Sequence, residues 1–188
     1  WRTQGFVNTA AGLCLGLLLV AWFPAHAAAF YLLPADRLAP AGAAGMLLYL
    51  LLLTECNDIA QALVGRRFGR RHITPKVSPK KSLEGLLGGL LCTTLLAALL
   101  APWLTPFAGG PALRTSGGTL TLPHLWSIAS GLLISLGGFL GDITMSAIKR
   151  DAGVKDSGTL FPGQGGMLDR IDSLTVTAPL LAYFTRWF

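Results

Sequence analysis

The chain has 188 residues, of which 52% are hydrophobic and only 13% charged, and its mean hydropathy is +0.57. A soluble domain carries roughly a quarter charged residues, so this composition excludes an ordinary soluble protein. The net charge of +6 would suit nucleic acid. The basic residues flank apolar segments, however, and no platform of aromatic and basic residues is present, so a nucleic-acid partner is excluded. The composition predicts an integral membrane protein.

Five apolar runs approach the length of about 20 residues that a membrane-spanning helix requires. They lie at 6–33, 41–64, 83–104, 122–148 and 173–188. The first is broken around Pro24 and has no small-residue cleavage site, which favours a spanning helix over a signal peptide. The last is short. We therefore predict an all-α, polytopic membrane bundle of about five transmembrane helices, forming one membrane domain over 1–188. Because the chain opens on Trp1, we expect it to be the C-terminal part of a longer protein.

The charged residues gather on one side of the predicted membrane. Alternation of the spans assigns twelve of the 15 Lys and Arg to that side, and only Arg37, Arg114 and Arg186 to the other. The positive-inside rule makes the basic side cytosolic. Six carboxylates fall near the same side, at Glu55, Asp58, Glu84, Asp142, Asp169 and Asp172. A carboxylate at membrane depth costs about 2.5–3.5 kcal/mol, so their convergence predicts a polar cavity that faces the cytosol.

The densest group of polar residues is the stretch 146–172, SAIKRDAGVKDSGTLFPGQGGMLDRID. In order come a basic pair, a lysine–aspartate pair, a glycine-rich turn and a D-x-x-D pair, at Lys149-Arg150, Lys155-Asp156, 162–166 and Asp169/Asp172. On a helix the D-x-x-D carboxylates share a face and can bind one ion, and they suit Mg²⁺. Glycine N–H groups can approach phosphate closely, and the basic side chains can bind the remaining phosphate charge. Together these features predict a metal and phosphate site.

This stretch resembles the signature of the CDP-diacylglycerol synthases, also called phosphatidate cytidylyltransferases. Their pattern is S-x-x-K-R, four residues, K-D, then P-G-H-G-G-x-x-D-R-x-D. The residues in register are Ser146, Lys149, Arg150, Lys155, Asp156, Pro162, Gly163, Gly165, Gly166, Asp169, Arg170 and Asp172. A second block, from Asn57-Asp58 through SPKKSLEGLLGG at 78–89, and a third, Gly141-Asp142, are also similar to the family. The resemblance covers roughly residues 45–188.

The resemblance implies transfer of a cytidylyl group from CTP to phosphatidate, which yields CDP-diacylglycerol and pyrophosphate for phospholipid biosynthesis. The catalytic segments would be 55–89 and 141–172. Expected metal ligands, around one or two Mg²⁺ ions, are Asp142, Asp169 and Asp172. Further catalytic residues would be Lys149, Arg150, Lys155 and Asp156. Substrate would be bound by Asn57, Asp58, Ser78, Lys80, Lys81, Gly163, Gln164, Gly165, Gly166 and Arg170. The protein would lie among the lipids of a bacterial inner membrane with its active site facing the cytoplasm, and a homodimer is left open.

Gln164 stands where the family pattern has histidine. The nucleophile would be a phosphate monoester, whose second pKa is near 6, so it is largely ionised at neutral pH. It therefore needs little help from a general base. Glutamine can still donate a hydrogen bond to phosphate, and we expect activity to survive the replacement.

Other interpretations of the same residues remain. Acidic residues are common in the first turn of a helix, and basic residues at any cytosolic helix end. Another CTP-dependent lipid enzyme, such as a polyprenol kinase or a CDP-archaeol synthase, could share the metal and phosphate chemistry. A non-catalytic lipid-binding protein or a transporter is an alternative from another class. The complete register at 146–172 favours the phosphatidate enzyme, and the clustering of polar residues at one membrane side disfavours a transporter.

Overall fold

The computed structural model of the chain describes residues 6–33, 41–75, 77–109, 112–115, 118–121, 124–160 and 165–187. Four helical segments in these ranges are long and apolar enough to cross a membrane, at Thr9–Leu32, Gly42–Phe68, Leu83–Leu104 and Leu125–Asp151. A further apolar helix, Leu174–Phe184, has 11 residues, fewer than the about 20 that a span requires. The predicted class, an all-α polytopic membrane bundle, is confirmed, and its fifth predicted segment is this shorter helix.

The first segment is one continuous helical stretch whose pitch changes along its length. Helix α1 (Phe6–Leu17) is followed by a wider π-helical turn at Leu18–Trp22, by α2 (Phe23–Ala28) and by a 3₁₀ turn at Ala29–Leu32. Pro24 has no N–H, and its ring crowds the carbonyl group one turn earlier. The π-helical turn just before it relieves this conflict. The break predicted at Pro24 is therefore a change of pitch.

Helices α3 (Gly42–Phe68) and α4 (Leu83–Leu104) pack along much of their length. They approach closely because α4 presents glycines to α3. A methyl group at Gly88 would lie 2.6 Å from the side chain of Val64. Small residues permit this close approach of helices within a membrane. The polar residues of α3 are thereby held beside the beginning of α4.

Helices α5 (Leu125–Asp151) and α6 (Leu174–Phe184) complete the bundle. The apolar core lies among the beginning of α3, the end of α4, α5 and α6, where Tyr49, Phe107 and Leu181 are fully buried. The hydroxyl groups of Tyr49 and Ser130 are hydrogen-bonded at 2.7 Å, so the buried phenol has a polar partner. Polar groups are concentrated farther along α3.

A polar centre joins α3, α4 and α5. Asn57 is fully buried, and its Oδ1 accepts hydrogen bonds from the hydroxyl groups of Thr93 at 3.2 Å and Ser135 at 2.7 Å. A buried amide is costly unless it is hydrogen-bonded. This network therefore favours a single arrangement of the three helices.

We expect Thr93→Val to destabilise the protein by about 1 kcal/mol, because Asn57 loses a hydrogen-bond donor. Thr94→Val is the matched control, since the buried Thr94 hydroxyl has no hydrogen-bond partner among the described residues. That change should be neutral or stabilising. Thermal unfolding in detergent measures the difference, and equal unfolding temperatures for the two variants would contradict the role of the polar centre.

Two short antiparallel hairpins lie in the connections between helices, where the sequence predicted only loops. Strand β1 (His72–Thr74) pairs with β2 (Ser78–Ser82), and β3 (Ala112–Thr115) pairs with β4 (Gly118–Thr121). Backbone N–H and C=O groups outside helices need partners, and a hairpin supplies them locally.

The first hairpin is fastened to the beginning of α4. Ser82 caps this helix by accepting a hydrogen bond from the backbone N–H of Gly85 at 3.1 Å. The Glu84 carboxylate accepts hydrogen bonds from the backbone N–H groups of Arg70 and Arg71, at 3.0 and 3.2 Å. The basic connection after α3 is thus a structured element that brings the end of β2 against the bundle.

Candidate active site

The side chain of Lys81, near the end of β2, links the hairpin to α3 and α5. Its Nζ lies 2.5 Å from Oδ2 of Asp142 on α5, and it donates a hydrogen bond of 3.2 Å to Oε1 of Gln61 on α3. The ammonium group also lies 5.7 Å from the ring centre of Phe139, a cation–π contact. The Lys81 side chain is 15% exposed and that of Asp142 is 23% exposed. The pair is therefore shielded from bulk water yet reachable by a ligand.

Lys149, close to the end of α5, contacts both carboxylates of the D-x-x-D pair. Its Nζ lies 2.7 Å from Oδ1 of Asp169 and 3.8 Å from Oδ2 of Asp172. The two carboxylates converge on one cationic group, as their spacing suggests. They do not share a helix, because Asp169 lies on a 3₁₀ turn at Leu168–Arg170 and α6 begins only at Leu174. The prediction that the two carboxylates share a face of one helix is wrong.

Hydrogen bonds from the preceding loop hold Asp169 in this turn. Its Oδ2 accepts bonds from the backbone N–H of Ser157 at 2.8 Å, from the Ser157 hydroxyl at 2.9 Å and from the backbone N–H of Gly166 at 2.8 Å. Burial raises the pKa of the Asp169 carboxyl, but Lys149 and the loop donors outweigh burial and hold that pKa well below its usual range. Both oxygens of Asp169 are engaged, so a metal ion would have to displace one of these donors.

Asp58 on α3 adds another carboxylate to the group. Its Oδ2 accepts a hydrogen bond from the Ser173 hydroxyl at 2.6 Å, and its Oδ1 accepts one from the Asn57 amide at 3.4 Å. Asp58 also interacts electrostatically with Asp142 and Asp172. Asn57 is fully buried, and through its hydrogen bond it helps to position Asp58.

This acidic group carries more negative than positive charge. Four carboxylates face two ammonium groups: Asp58, Asp142, Asp169 and Asp172 against Lys81 and Lys149. Burial and the neighbouring Asp142 carboxylate raise the pKa of Asp172 to about 6, against the opposing effects of the Ser173 N–H, Lys149 and Lys81. A bound cation would relieve this repulsion.

The donor set fits a hard divalent cation in part. Within the described part of the chain, no three carboxylate, histidine or cysteine groups are arranged as a complete metal-binding set. Mg²⁺ usually takes one or two protein carboxylates and completes its shell with water and substrate phosphate. Asp142 and Asp172, whose charges repel each other, fit that requirement. The oxygens of these two carboxylates also have partners, but Asp169 accepts four hydrogen bonds in all and therefore fits less well.

The other predicted residues lie around or beyond this group. Gly163 and Gln164 fall outside the described residues. Ser78 is half-buried, and the exposed ones are Lys80, Arg150, Lys155, Asp156 and Arg170. The structure therefore brings together only part of the predicted set: Asp58, Lys81, Asp142, Lys149, Gly165, Gly166, Asp169 and Asp172.

Three residues of the site were not predicted from the sequence. Gln61 follows Asp58 by three residues, which places both on one face of α3, and this spacing was the signal that could have found it. Gln61 is 4% exposed, and its Nε2 has no hydrogen-bond partner among the residues described. Ser157 and Ser173 carry no comparable signal, because only the folded chain brings them to Asp169 and Asp58.

The fold and the site together define the class of the protein. It is a polytopic membrane protein, and lysine–aspartate pairs lie where the end of α5, the segment before α6 and the first hairpin meet. Residues 4–188 match the model of the cytidylyltransferase family. The chain belongs to this family.

Individual relatives are similar over very different lengths. The uncharacterized protein YnbB of Escherichia coli (strain K12) is 46% identical over 184 residues, which is 98% of this chain and 56% of that protein. The phosphatidate cytidylyltransferase of Synechocystis is 60% identical over 62 residues, 31% of this chain and 21% of that protein. The phosphatidate cytidylyltransferase of Bacillus subtilis (strain 168) is 42% identical over 69 residues, 37% and 26% respectively. The chain thus spans about half the length of the first relative and is aligned with smaller parts of the other two.

Proposed function

We propose that the chain is the catalytic part of a phosphatidate cytidylyltransferase, which transfers a cytidylyl group from CTP to phosphatidate. The observation that carries this proposal is the meeting of the three sequence blocks at one place. Lys81 from the second block contacts Asp142 from the third, and Asp142 in turn repels Asp172 of the signature, which Lys149 contacts. Membership of the cytidylyltransferase family and two relatives with that enzyme name support it.

In the proposed reaction a phosphate oxygen of phosphatidate attacks the α-phosphorus of CTP. The bond from this phosphorus to the oxygen that bridges it to the β-phosphorus breaks, and pyrophosphate leaves. Such transfers depend mainly on positioning and on neutralisation of phosphate charge. Lys81 and Lys149 would exchange carboxylate partners for phosphate oxygens. The attacking phosphate is already ionised at neutral pH, so the reaction needs no strong base.

Asp142 and Asp172 would hold Mg²⁺ once the lysines turn to phosphate. When bound, the ion would supply further neutralisation of the triphosphate charge. The two carboxylates would bind the ion beside the two lysines. We expect chelation with EDTA to abolish product formation and added Mg²⁺ to restore it. Undiminished activity in excess EDTA would contradict this part of the proposal.

We assign the catalytic segments to 55–89 and 141–172 of a single membrane domain over residues 1–188. The concentration of basic residues beside these segments favours a site at the cytoplasmic face of a bacterial inner membrane, since basic loops are retained in the cytoplasm. CTP is available on that side.

A direct assay tests the function. The purified protein, in its full natural length, is incubated with CTP, phosphatidate and Mg²⁺, and the lipids are examined by mass spectrometry. We expect CDP-diacylglycerol in the lipid fraction and an equal amount of pyrophosphate in the aqueous fraction. Consumption of CTP without a CDP-lipid, or no reaction, would contradict the proposal.

A glycine of the signature offers a sharper test of the loop before Asp169. Gly165 has φ +88°, and a methyl group there would lie 2.5 Å from Oδ2 of Asp169. Gly165→Ala should displace that carboxylate and lower activity at least about tenfold. Gly153→Ala is the matched control, because Gly153 has φ +72° but open space around its Cα. Equal losses of activity in the two variants would show that only backbone strain matters, and full activity in both would contradict a role for this contact with Asp169.

A further inference from the structure

An apolar crevice of about 440 Å³ lies between α1 and the last two turns of α5. Its walls include Gly12 and Gly16 from α1, Leu19 from the π-helical turn that follows α1, and Met145 and Ile148 from α5. This volume is within the range of small-molecule and cofactor pockets, roughly 300–1,000 Å³. None of these five side chains is charged, so the walls that they form suit an apolar ligand.

Two glycines create the space on the α1 side. Gly12 and Gly16 are four residues apart and therefore share one face of the helix. A methyl group at either position would meet nothing within 4 Å. The lining of this first helical segment continues to Val20 in the π-helical turn, which gives a slot about 12 Å long along the helix axis. An apolar slot of this length can accommodate part of a hydrocarbon chain.

The crevice is continuous along the chain with the charged group. Ile148 lines the crevice, and the next residue, Lys149, contacts Asp169 and Asp172. Leu168 also lines the crevice and immediately precedes Asp169. The crevice and the charged group are therefore formed by adjoining residues of the same two segments, and a ligand with an anionic head and an apolar chain fits their combined chemistry. The exposed Asp151 also lines the crevice.

We propose that this crevice holds an acyl chain of the phosphatidate substrate while the lipid phosphate meets Lys149. The inference rests on the proposed function and adds the place of the lipid chain. An acyl chain in the bilayer is already in apolar surroundings, so entering the crevice gains little hydrophobic free energy. The crevice instead orients the phosphate toward the nucleotide, and its loss should lower kcat.

Filling the crevice tests the inference with two substrates. Gly16→Leu should lower kcat for dipalmitoyl phosphatidate about tenfold and leave the rate with dihexanoyl phosphatidate close to that of the unchanged protein. Two variants serve as controls that keep the crevice open. Gly16→Ala adds one methyl group, and Leu13→Phe enlarges a residue of α1 that is 67% exposed and does not line the crevice.

Each outcome decides the matter. A selective loss with the long-chain substrate supports the inference, and retained activity with the short-chain substrate shows that the variant is folded. Equal losses with both substrates would mean that the crevice has a structural role, for example because another polypeptide segment fills it. No loss with either substrate would mean that the lipid chain lies elsewhere. Both of these results overturn the inference.

A cross-linking experiment separates this inference from the proposed function. Phosphatidate with a photoreactive diazirine in one long acyl chain is added to the protein without CTP, and the modified peptides are mapped. We expect modification within 12–20 or 145–152, reduced at least about tenfold by Gly16→Leu. Modification only at other sites overturns the inference. Because no turnover is required, a failure to form CDP-lipid would count against the proposed function alone.

Discussion

Asp142→Asn and Asp172→Asn are each expected to lower kcat/KM for cytidylyl transfer by about 10³-fold, which corresponds to about 4 kcal/mol of transition-state stabilisation. Both carboxylates lie beside a lysine, and their mutual repulsion fits them to hold a divalent cation. Asparagine keeps the size of the side chain but removes its charge. Initial rates with CTP and phosphatidate at saturating Mg²⁺ measure the loss.

Glu55→Gln is the matched control for these variants. Glu55 lies on α3, one turn before Asp58, and is exposed. Its neutralisation removes a carboxylate of the same region without touching the Lys81 or Lys149 pairs. We expect activity within about twofold of the unchanged protein, as for most surface substitutions. Activity retained in both Asp142→Asn and Asp172→Asn, with normal unfolding temperatures, would favour a non-catalytic lipid-binding protein.

Two adjacent lysines are expected to differ sharply. Lys81→Met should lower kcat/KM by about 10²- to 10³-fold, because Lys81 is held by Asp142 and Gln61 where phosphate is proposed to bind. Lys80→Met should lower it only severalfold, because Lys80 is exposed and its charge is screened by water and salt. The two changes remove the same charge from neighbouring positions. Steady-state rates over a range of CTP concentrations measure both effects.

The rates of these two variants distinguish a lysine that binds phosphate in the active site from a basic residue that only sets the orientation of the protein in the membrane. A topological role depends on charge in the loop as a whole, so it predicts similar effects for Lys80 and Lys81. Equal losses in the two variants would therefore contradict the assignment of Lys81 to the site. Normal unfolding temperature of Lys81→Met is required for the comparison, since Asp142 is left without its ion pair.

Much of the fold follows from apolar segments alone, because a membrane imposes both length and composition on a spanning helix. The predicted runs 41–64 and 83–104 correspond to helices at Gly42–Phe68 and Leu83–Leu104. The final run does not continue as one helix to the chain end, because α6 ends at Phe184 and a 3₁₀ turn follows. The hairpins were missed because their pairing depends on backbone partners and carries little hydrophobic pattern.

The arrangement of the predicted side chains follows from the sequence where local spacing determines their geometry, and not where tertiary packing determines it. The D-x-x-D spacing predicted that the Asp169 and Asp172 carboxylates approach one point. They do so at the Lys149 ammonium group, but a 3₁₀ turn brings them there and not a shared α-helix. Asn57 was predicted to bind substrate, yet it is fully buried in contact with α4 and α5. In the sequence, a polar residue on a membrane helix looks the same whether it binds substrate or joins helices through hydrogen bonds. Only the packing of Thr93 and Ser135 against Asn57 distinguishes them.

Two differently labelled CTP molecules distinguish transfer of the cytidylyl group from transfer of the γ-phosphate. The protein is incubated with phosphatidate, Mg²⁺ and CTP labelled at either the α- or the γ-phosphorus, and the extracted lipid is counted. Cytidylyl transfer predicts that the α-label enters the lipid and that the γ-label leaves as pyrophosphate. Label from the γ-position in the lipid, with none from the α-position, would identify a lipid kinase and contradict the proposed reaction.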